Sequence, residues 1–524
     1  MVDAANLRVR LRQYVNFTER YLSIRSFIVL IITVSIALRM APMTKWSSDE
    51  STSSKYEATN ESLSQHRVPN WFHNAKLGIF IHWGLYSVPG WAPTGLDFGE
   101  DTEDNSKGDE KGMTEEERWK HWFMNNAYAE WYFNTLRIDG SPTQAYHKEN
   151  YGEDFTYEDF APLFNEALKS WDPDEMASIL NEVHAGYVVL TSKHHDGFLM
   201  WPSKTPNPNK PDYHATRDIV GELGSAVRKK GMRMAYYYSG GVDWTFNPQL
   251  VLNHHDILDA CQQKESYTGY ADAHWRELID RYDTNVLWND ICYPADADVN
   301  TLFADFYNKK EDGAINNRFI QRKAGEYEES RSNHFDFETP EYKTFEDIRS
   351  YKWESCRGIG HSFGYNRLEG PEEHITVDEL IRSFVDIVSK NGNLLLNIGP
   401  MANGTIPKLQ LKRLRGLGRW LDKNGEAIFD TRPWSRASGE TNVGIDVRFT
   451  QSQEALNVLL MDTPSKGDKL TVLDLKVASD SRLTLLGGED YLDWNQEENG
   501  ISITIPQSIE NAPVHSISIT PIPA

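Results

Sequence analysis

Short apolar runs that each end in polar or aromatic side chains constrain the fold of this chain more than any other feature. Five of them lie between residues 77 and 400, separated by longer amphipathic stretches: Leu77–Gly84, Gly186–His195, Met232–Ser239, Asn285–Asp290 and Asn393–Pro400. This alternation is typical of βα units, whose parallel strands are buried on both faces. The pattern therefore predicts an α/β fold with a parallel sheet.

The polar ends of these runs favour a closed barrel. The active site of a (β/α)₈ barrel lies at the C-terminal ends of its strands, and the first four runs end in candidate functional side chains, His82, His194, His195, Tyr237 and Asp290. A doubly wound sheet would also carry its site there, but no Gly-rich phosphate-binding motif follows the first run. We expect a TIM-like barrel.

Changes in composition along the chain predict three segments. Residues 1–65 form a targeting segment and polar linker, residues 66–435 the catalytic barrel, and residues 436–524 a C-terminal β-sandwich of short alternating runs such as Ile501–Ile505. The acidic stretch from Gly95 to Arg118 is interpreted as a solvated loop insertion after the first strand.

The N-terminus indicates export. The apolar run Phe27–Leu38 follows several arginines and has the length of a signal-peptide core, short of the roughly 20 residues of a membrane-spanning helix. A cleaved signal and an uncleaved membrane anchor both agree with this pattern. Sequons at Asn60 and Asn403 also fit the secretory route, so we expect a secreted or lumenal protein, or one anchored by its N-terminus.

Composition excludes some partners. The formal net charge of −23 argues against nucleic acid, because phosphate binding needs a surplus of Lys and Arg. The 16 Trp and 24 Tyr suit sugar binding but are also ordinary core residues. The three cysteines, Cys261, Cys292 and Cys356, permit at most one internal disulfide.

Asp290 is the strongest catalytic candidate. A carboxylate at the mouth of a barrel can act as nucleophile or base, although from position alone it could equally cap the next helix. A retaining glycosidase needs a second carboxyl about 5–5.5 Å away, and Glu338, Glu341 and Glu354 follow in the sequence. The adjacent His194 and His195 favour hydrogen bonds to substrate hydroxyls over metal ligation, because no Cys or HExxH context supports zinc.

Several motifs together resemble the family 29 α-L-fucosidases, in consistent order from about residue 66 to 435. They are Phe80–Gly84 (FIHWG), Ala129–Tyr132 (AEWY), Lys193–Phe198 (KHHDGF), Leu287–Asp290 (LWND), Lys352–Glu354 (KWE) with Ser362–Tyr365 (SFGY), and Leu394–Pro400 (LLLNIGP).

The resemblance implies a catalytic barrel with a β-sandwich, no metal and no cofactor, and double displacement on terminal α-L-fucose of fucosylated glycans. It makes Asp290 the nucleophile and places Glu341 as acid/base ahead of Glu338 and Glu354. Fucose would be bound by His82, Glu130, Trp131, His194, His195, Tyr237, Trp288 and Arg318.

Three alternatives stay open from the sequence: a related glycosidase acting on α-L-galactose, a non-hydrolytic glycan-binding barrel, and a metal hydrolase. The glycan-binding protein would be expected to lack the nucleophile, whereas Asp290 is present.

Overall fold

The computed structural model describes residues 55–94, 113–261, 265–322, 333–488 and 491–523. Residues 56–524 form one compact unit. The apolar run Phe27–Leu38 and residues 95–112 of the predicted insertion lie outside the described residues. In the part of the chain that is described, no helix combines the length and the apolar character that a membrane span requires.

Eight parallel strands form the barrel. They are β1 (Leu77–Ile81), β2 (Tyr187–Lys193), β3 (Arg233–Ser239), β4 (Val286–Asp290), β5 (Ala314–Ile315), β6 (Phe337–Glu338), β7 (Lys352–Gly358) and β8 (Gly392–Ile398). The order in the sheet is β5-β4-β3-β2-β1-β8-β7-β6, and a parallel bridge between Asn316 and Phe337 joins its two edges. The predicted TIM-like barrel is confirmed.

The five apolar runs all contain barrel strands, whereas the other three strands were not predicted. Strands β5 and β6 have only two residues each, too few to show a pattern. Strand β7 carries Lys352, Glu354 and Arg357, so its sequence does not look apolar. The predicted insertion was wrong at its end, because residues 115–118 already belong to a helix that begins at Glu115 with a Thr114–Glu117 capping box.

Helices surround the barrel and connect its strands. Along the described residues they are α1 (Asn60–Leu63), α2 (Asn70–Ala75), α3 (Glu115–Asn125), α4 (Tyr132–Leu136), α5 (Pro142–Tyr151), α6 (Phe160–Ala167), α7 (Pro173–Glu182), α8 (Ile219–Lys229), α9 (His254–Ala260), α10 (Glu265–Asp280), α11 (Val299–Lys309), α12 (Val377–Ser389) and α13 (Lys408–Asn424). The barrel-facing sides of helices such as α8 and α12 are buried, which accounts for their amphipathic sequences.

Helix α2 closes the N-terminal end of the barrel. It directly precedes β1, and its fully buried Phe72 packs against Phe337 at the start of β6 and Tyr187 at the start of β2, with ring centroids 4.6 and 5.4 Å apart. Because the strand beginnings are covered in this way, access to the barrel interior comes from the opposite, C-terminal end.

Two antiparallel sheets follow the barrel, in agreement with the predicted β-sandwich. One has the order β13-β16-β11-β10-β9 and the other β12-β15-β14. Their strands are β9 (Arg432–Glu440), β10 (Asp446–Gln451), β11 (Leu456–Leu460), β12 (Lys469–Leu473), β13 (Arg482–Leu485), β14 (Trp494–Glu497), β15 (Gly500–Thr504) and β16 (His515–Thr520). Their buried Val, Leu, Ile and Phe side chains form a hydrophobic core of their own. The division of the chain at residues 65 and 435 stays a prediction.

Candidate active site

One cavity of about 1040 Å³ brings the predicted site residues together at the C-terminal end of the barrel. All ten of them line it: His82, Glu130, Trp131, His194, His195, Tyr237, Trp288, Asp290, Arg318 and Glu341. They lie near the C-terminal ends of β1 to β6 or directly after them, except for Glu130 and Trp131, which lie on a short 3-10 turn, Ala129–Trp131.

Asp290 is the last residue of β4, and its side chain is 12% exposed. It does not cap the next helix, because the N-cap of α11 is Asp298, whose side chain accepts a hydrogen bond from the Thr301 amide. The backbone turns sharply behind it through Ile291 (φ 41°) and Cys292 (φ 66°). Gly241 makes this turn feasible, since a Cβ there would lie 1.9 Å from the Ile291 carbonyl oxygen.

Two neighbours hold the Asp290 carboxylate. Arg318 donates to Oδ1 at 2.7 Å and Tyr237 donates to Oδ2 at 2.8 Å. Burial would raise the pKa of Asp290, but the positive charge of Arg318 lowers it, and with help from His195 and the two hydrogen bonds the pKa lies below its ordinary value. The carboxylate is therefore ionised at neutral pH, as a nucleophile must be.

The guanidinium of Arg318 also reaches Glu341. Its Nη2 donates to Oε1 of Glu341 at 2.6 Å, so two carboxyl groups share one planar cation. Thr339 fixes the guanidinium from behind, accepting from Nε through its hydroxyl and from Nη2 through its carbonyl. Burial disfavours the charge of Arg318, but Glu341 and Asp290 outweigh it and raise the pKa of the guanidinium. Glu341 and Asp290 thus face the same small region of the cavity.

The other two candidate acids lie elsewhere. Glu354 is fully buried below the cavity, where it accepts hydrogen bonds from Trp288 Nε1 at 2.9 Å and from the Tyr187 hydroxyl. Burial raises its pKa to about 7. Glu338 lies in β6, opposite Trp353, and is not part of the cavity wall. Of the three carboxyl groups, the cavity therefore exposes only that of Glu341 beside Asp290.

Three buried histidines surround the inner end of the cavity. His82 Nδ1 lies 2.7 Å from Asn397 Oδ1, and His195 Nδ1 lies 2.6 Å from Ser239 Oγ. Burial lowers the pKa of each of these two rings to about 4, and it also lowers the pKa of His194 well below its ordinary value, with the neighbouring His195 adding to the effect. All three rings are neutral at pH 7, so each offers one donor and one acceptor nitrogen.

Glu130 and Trp131 come from the turn between α3 and α4. The Glu130 carboxylate accepts from the Gly364 amide at 2.8 Å and from Ser362 Oγ at 3.3 Å. Burial raises its pKa to about 7. The ring of Trp131 packs edge-on against His195 at 5.3 Å and stays partly exposed. This turn therefore supplies one polar and one apolar group to the same side of the cavity.

Aromatic side chains complete the inner wall, and apolar ones form an outer region. The rings of Phe80, Trp288 and Phe363 line the inner part, with Phe80 and Trp288 at 4.8 Å and Phe363 at 5.0 Å from His82. Trp122, Phe123, Ile257 and Leu258 of helices α3 and α9 line the cavity further out. Its volume is near the upper end of the 300–1,000 Å³ range of ligand pockets, enough for more than one sugar unit.

Several of these residues were missed by the sequence interpretation. Asn397, Ser239 and Ser362 hold His82, His195 and Glu130 in place. Asn397 and Ser362 belong to motifs that carried the resemblance but received no role of their own. The wall residues Trp122 and Tyr128 lie within the seven residues before the AEWY motif, so proximity to that motif was the signal that could have indicated them.

Among the described residues, one group has the composition and spacing of a metal site, and it lies away from the cavity. It consists of His66, His334 and Asp336. These side chains already bond to each other and to their surroundings: His66 Nδ1 lies 2.7 Å from Asp336 Oδ1, and Tyr307 bonds to both His334 and Asp336. The group is therefore satisfied as a hydrogen-bonded network.

A family comparison decides which family the chain belongs to. The α-L-fucosidase family model matches residues 44–426, which contain all ten cavity residues named above. The chain belongs to the α-L-fucosidase family, glycoside hydrolase family 29. It is a glycoside hydrolase of that family.

Curated and solved relatives agree with this assignment. The tissue α-L-fucosidase of Rattus norvegicus is 32% identical over 461 residues, covering 85% of this chain and 87% of the rat protein. The plasma α-L-fucosidase of Homo sapiens is 32% identical, covering 87% of this chain and 90% of the human protein. The crystal structure of Thermotoga maritima α-fucosidase in complex with fucose is similar with a TM-score of 0.75 at 40% identity, covering 89% of this chain and 100% of that one.

Proposed function

We propose that the chain is an exo-acting, retaining α-L-fucosidase that removes terminal α-L-fucose from glycans or glycosides. The observation that carries the proposal is the double ion pair of Arg318, which holds Asp290 and Glu341 within the span of one guanidinium. Retaining glycosidases use two carboxyl groups about 5–5.5 Å apart, whereas inverting enzymes leave a wider gap for water. A shared guanidinium supports the shorter separation.

In this mechanism Asp290 attacks the anomeric carbon and forms a covalent fucosyl ester, while Glu341 protonates the departing glycosidic oxygen. Glu341 then removes a proton from water, which attacks the anomeric carbon and releases fucose and the Asp290 carboxylate. The lowered pKa of Asp290 suits a nucleophile that must be ionised. The partial exposure of Glu341, at 30%, suits a group that exchanges protons with water.

The fucose hydroxyls would be bound by His82, His194, His195 and Glu130. Sugar hydroxyls both donate and accept hydrogen bonds, and a neutral imidazole can donate to them through one ring nitrogen or accept from them through the other. Among the described residues, His194 Nδ1 is buried with no hydrogen-bond partner, so a substrate hydroxyl could satisfy it. Trp131 and Trp288 offer apolar faces on which the C6 methyl group of fucose could rest.

Two substitutions test the catalytic pair. With an aryl α-L-fucoside, Asp290→Ala should lose at least about 10⁴-fold in kcat, as removal of a nucleophile does elsewhere. Glu341→Ala should regain turnover with azide and yield a fucosyl azide of retained configuration, because azide takes the place of water and attacks the covalent fucosyl ester of Asp290. Azide rescue of Glu338→Ala or Glu354→Ala instead would reassign the acid/base, and full activity of Asp290→Ala would disprove the mechanism.

The aromatic inner wall favours fucose over α-L-galactose, which differs by a hydroxyl at C6. Trp288, one of the faces on which the C6 methyl would rest, and its neighbour Phe80 would leave such a hydroxyl without a hydrogen-bond partner on their side of the cavity. We therefore expect kcat/KM to be at least about 10-fold higher for the fucoside than for the α-L-galactoside with the same leaving group. Equal kcat/KM values for the two substrates would indicate a glycosidase that accepts both α-L-fucosides and α-L-galactosides.

We further propose that the protein enters the secretory route. The apolar run Phe27–Leu38 and the sequons at Asn60 and Asn403, which follow it in the chain, support this, and both asparagines are exposed. Treatment of the protein from a eukaryotic host with peptide N-glycosidase should reduce its mass, and substitution of both asparagines by Gln should abolish the change. An unglycosylated product retained in the cytosol would contradict the proposal.

A further inference from the structure

We propose that the N-terminal end of the barrel binds a small inorganic anion, of the halide class, among the side chains of His73, Lys76, Lys352 and Arg432. This end is opposite the catalytic cavity, and none of the four residues lines that cavity. The site is therefore independent of the proposed fucosidase activity.

Three segments of the fold bring these four side chains together at the floor of the barrel. Lys76 is the C-cap of helix α2, and its carbonyl oxygen accepts from the amide of Leu394 in β8. Lys352 is the first residue of β7, the strand on the other side of β8 from β1. Arg432 begins β9, and its Nη1 donates to Oδ1 of Asn74 in helix α2 at 2.7 Å.

Two polar atoms in this cluster are buried without a partner. Lys76 has 0% exposure, and its Nζ has no hydrogen-bond partner among the described residues. The Nδ1 atom of His73 is also buried and likewise has none in the described part of the chain. Buried polar groups are nearly always satisfied, by protein, water or an ion, so two such atoms in one cluster indicate an occupant.

The surroundings are dominated by positive charge. The two carboxylates whose charge acts on these lysines are Glu354 and Asp430. Glu354 already accepts from Trp288 and Tyr187, and Asp430 is exposed to solvent. Burial, followed by the charge of Arg432, lowers the pKa of Lys76 to about 7, and burial lowers the pKa of Lys352 well below its ordinary value. The protein itself thus leaves the cationic charge largely uncompensated.

A bound anion would give the unpartnered atoms a hydrogen-bond acceptor and would compensate the positive charge. Ammonium and guanidinium groups are donors with no acceptor atom, so a bound acceptor with negative charge satisfies them and keeps the lysines protonated. A halide fits because it carries a single charge, accepts from several directions, and is small enough for a position at which Lys76 is wholly enclosed. The alternative to a bound anion is that Lys76 and Lys352 are both deprotonated. In that case the stability of the protein would not depend on the anion present.

Thermal unfolding of the wild-type protein distinguishes these states. At pH 7 and constant ionic strength, replacing sodium gluconate by sodium chloride or bromide should raise Tm saturably, by about 2 °C or more, because a ligand of the folded state stabilises it. Lys76→Met should abolish the rise. The control Lys229→Met, at a lysine 64% exposed on the last turn of α8, should keep it.

Crystals grown with sodium bromide give a direct measurement that does not depend on a variant. An anomalous peak within hydrogen-bonding distance of Lys76 Nζ is the expected result. Equal Tm in all three salts together with no bromide peak would overturn the proposal. A rise in Tm with phosphate but not with halide would overturn the halide assignment and indicate an oxyanion instead.

Discussion

The guanidinium of Arg318 donates to the Asp290 carboxylate at 2.7 Å from the loop that follows the neighbouring barrel strand. The contact restricts the rotation of Asp290 and keeps it ionised in a buried position where an isolated carboxylate would be protonated more easily. Arg318 in turn lies over the ring of Trp288 at 4.8 Å, so the Asp290 carboxylate is positioned through a cation that is itself fixed by packing.

Arg318→Met should therefore impair catalysis and change its pH dependence. Without the guanidinium, burial dominates and the pKa of Asp290 rises, so the acidic limb of kcat/KM should move to higher pH. We expect kcat/KM to fall about 100-fold or more, as for loss of one preorganised charge contact. Arg233→Met, which breaks an ion pair with Asp312 at the other end of the barrel, is the control. An unchanged acidic limb in Arg318→Met would contradict the role of Arg318.

Tyr237 and Tyr238 provide a matched pair, because adjacent residues of β3 point to opposite faces of the strand. Tyr237 bonds to Asp290 at 2.8 Å, whereas Tyr238 bonds to His274 at 2.9 Å outside the cavity. Tyr237→Phe should lower kcat about 10-fold, since hydrogen bonds to charged groups contribute about 1.5–3 kcal/mol. Tyr238→Phe should lower Tm but keep kcat nearly unchanged. Equal effects of the two variants on kcat would rule out a specific action of Tyr237 on Asp290.

Glu354→Gln tests whether this carboxyl positions Trp288 or transfers protons. Its pKa of about 7 is that of a good acid/base, but its contacts are with Trp288 and Tyr187 rather than with the cavity. An amide keeps an acceptor oxygen for the indole, so we expect kcat to fall less than about 10-fold. Glu341→Gln should lose about 10²–10⁴-fold with an unactivated leaving group. A larger loss at Glu354, with azide rescue of Glu354→Ala, would reverse the two roles.

Burial of His82 should make the folded protein less stable as the pH falls from 6.5 towards 4. The pKa of His82 is about 4 in the folded state against an ordinary value of 6.5, so in this interval the unfolded chain binds more protons. The contribution of His82 is complete above pH 6.5 and decreases by about 3 kcal/mol at most as the ring is protonated.

Urea unfolding of the wild type and His82→Gln at pH 7 and pH 4.5 measures this linkage. The variant should lose less stability than the wild type between the two pH values. Groups that both proteins share, such as Glu130 with its raised pKa, cancel in this double difference. Identical pH dependence of the two proteins would show that His82 does not titrate as proposed.

The sequence predicted the fold where barrel strands are long and apolar. It did not predict β5 and β6, which have two residues each, or β7, whose Lys352 and Glu354 point into the barrel. Charged residues inside a barrel are tolerated there only through partners from distant segments, such as Trp288 and Tyr187 for Glu354. Such partners cannot be identified from one sequence without the fold.

The sequence likewise predicted part of the candidate site. Residues at strand ends and in the fucosidase motifs were identified, and all ten line one cavity. Sequence spacing could not separate Glu341 from Glu338; in the structure Glu341 lines the cavity and pairs with Arg318, whereas Glu338 does not line it. The residues that orient the histidines, Asn397 and Ser239, were missed because their role depends on which strands are neighbours in the barrel.

The contact between His82 and Asn397 can form only late in the synthesis of the chain. The two residues are 315 positions apart, yet they lie on adjacent strands, because β8 closes the barrel against β1. At about 5–20 residues per second, a ribosome needs roughly 15 to 60 s to travel from one to the other. Throughout that time the cavity of the nascent chain is incomplete and the sheet edge at β1 is open, so in this interval a chaperone would protect the chain most from aggregation.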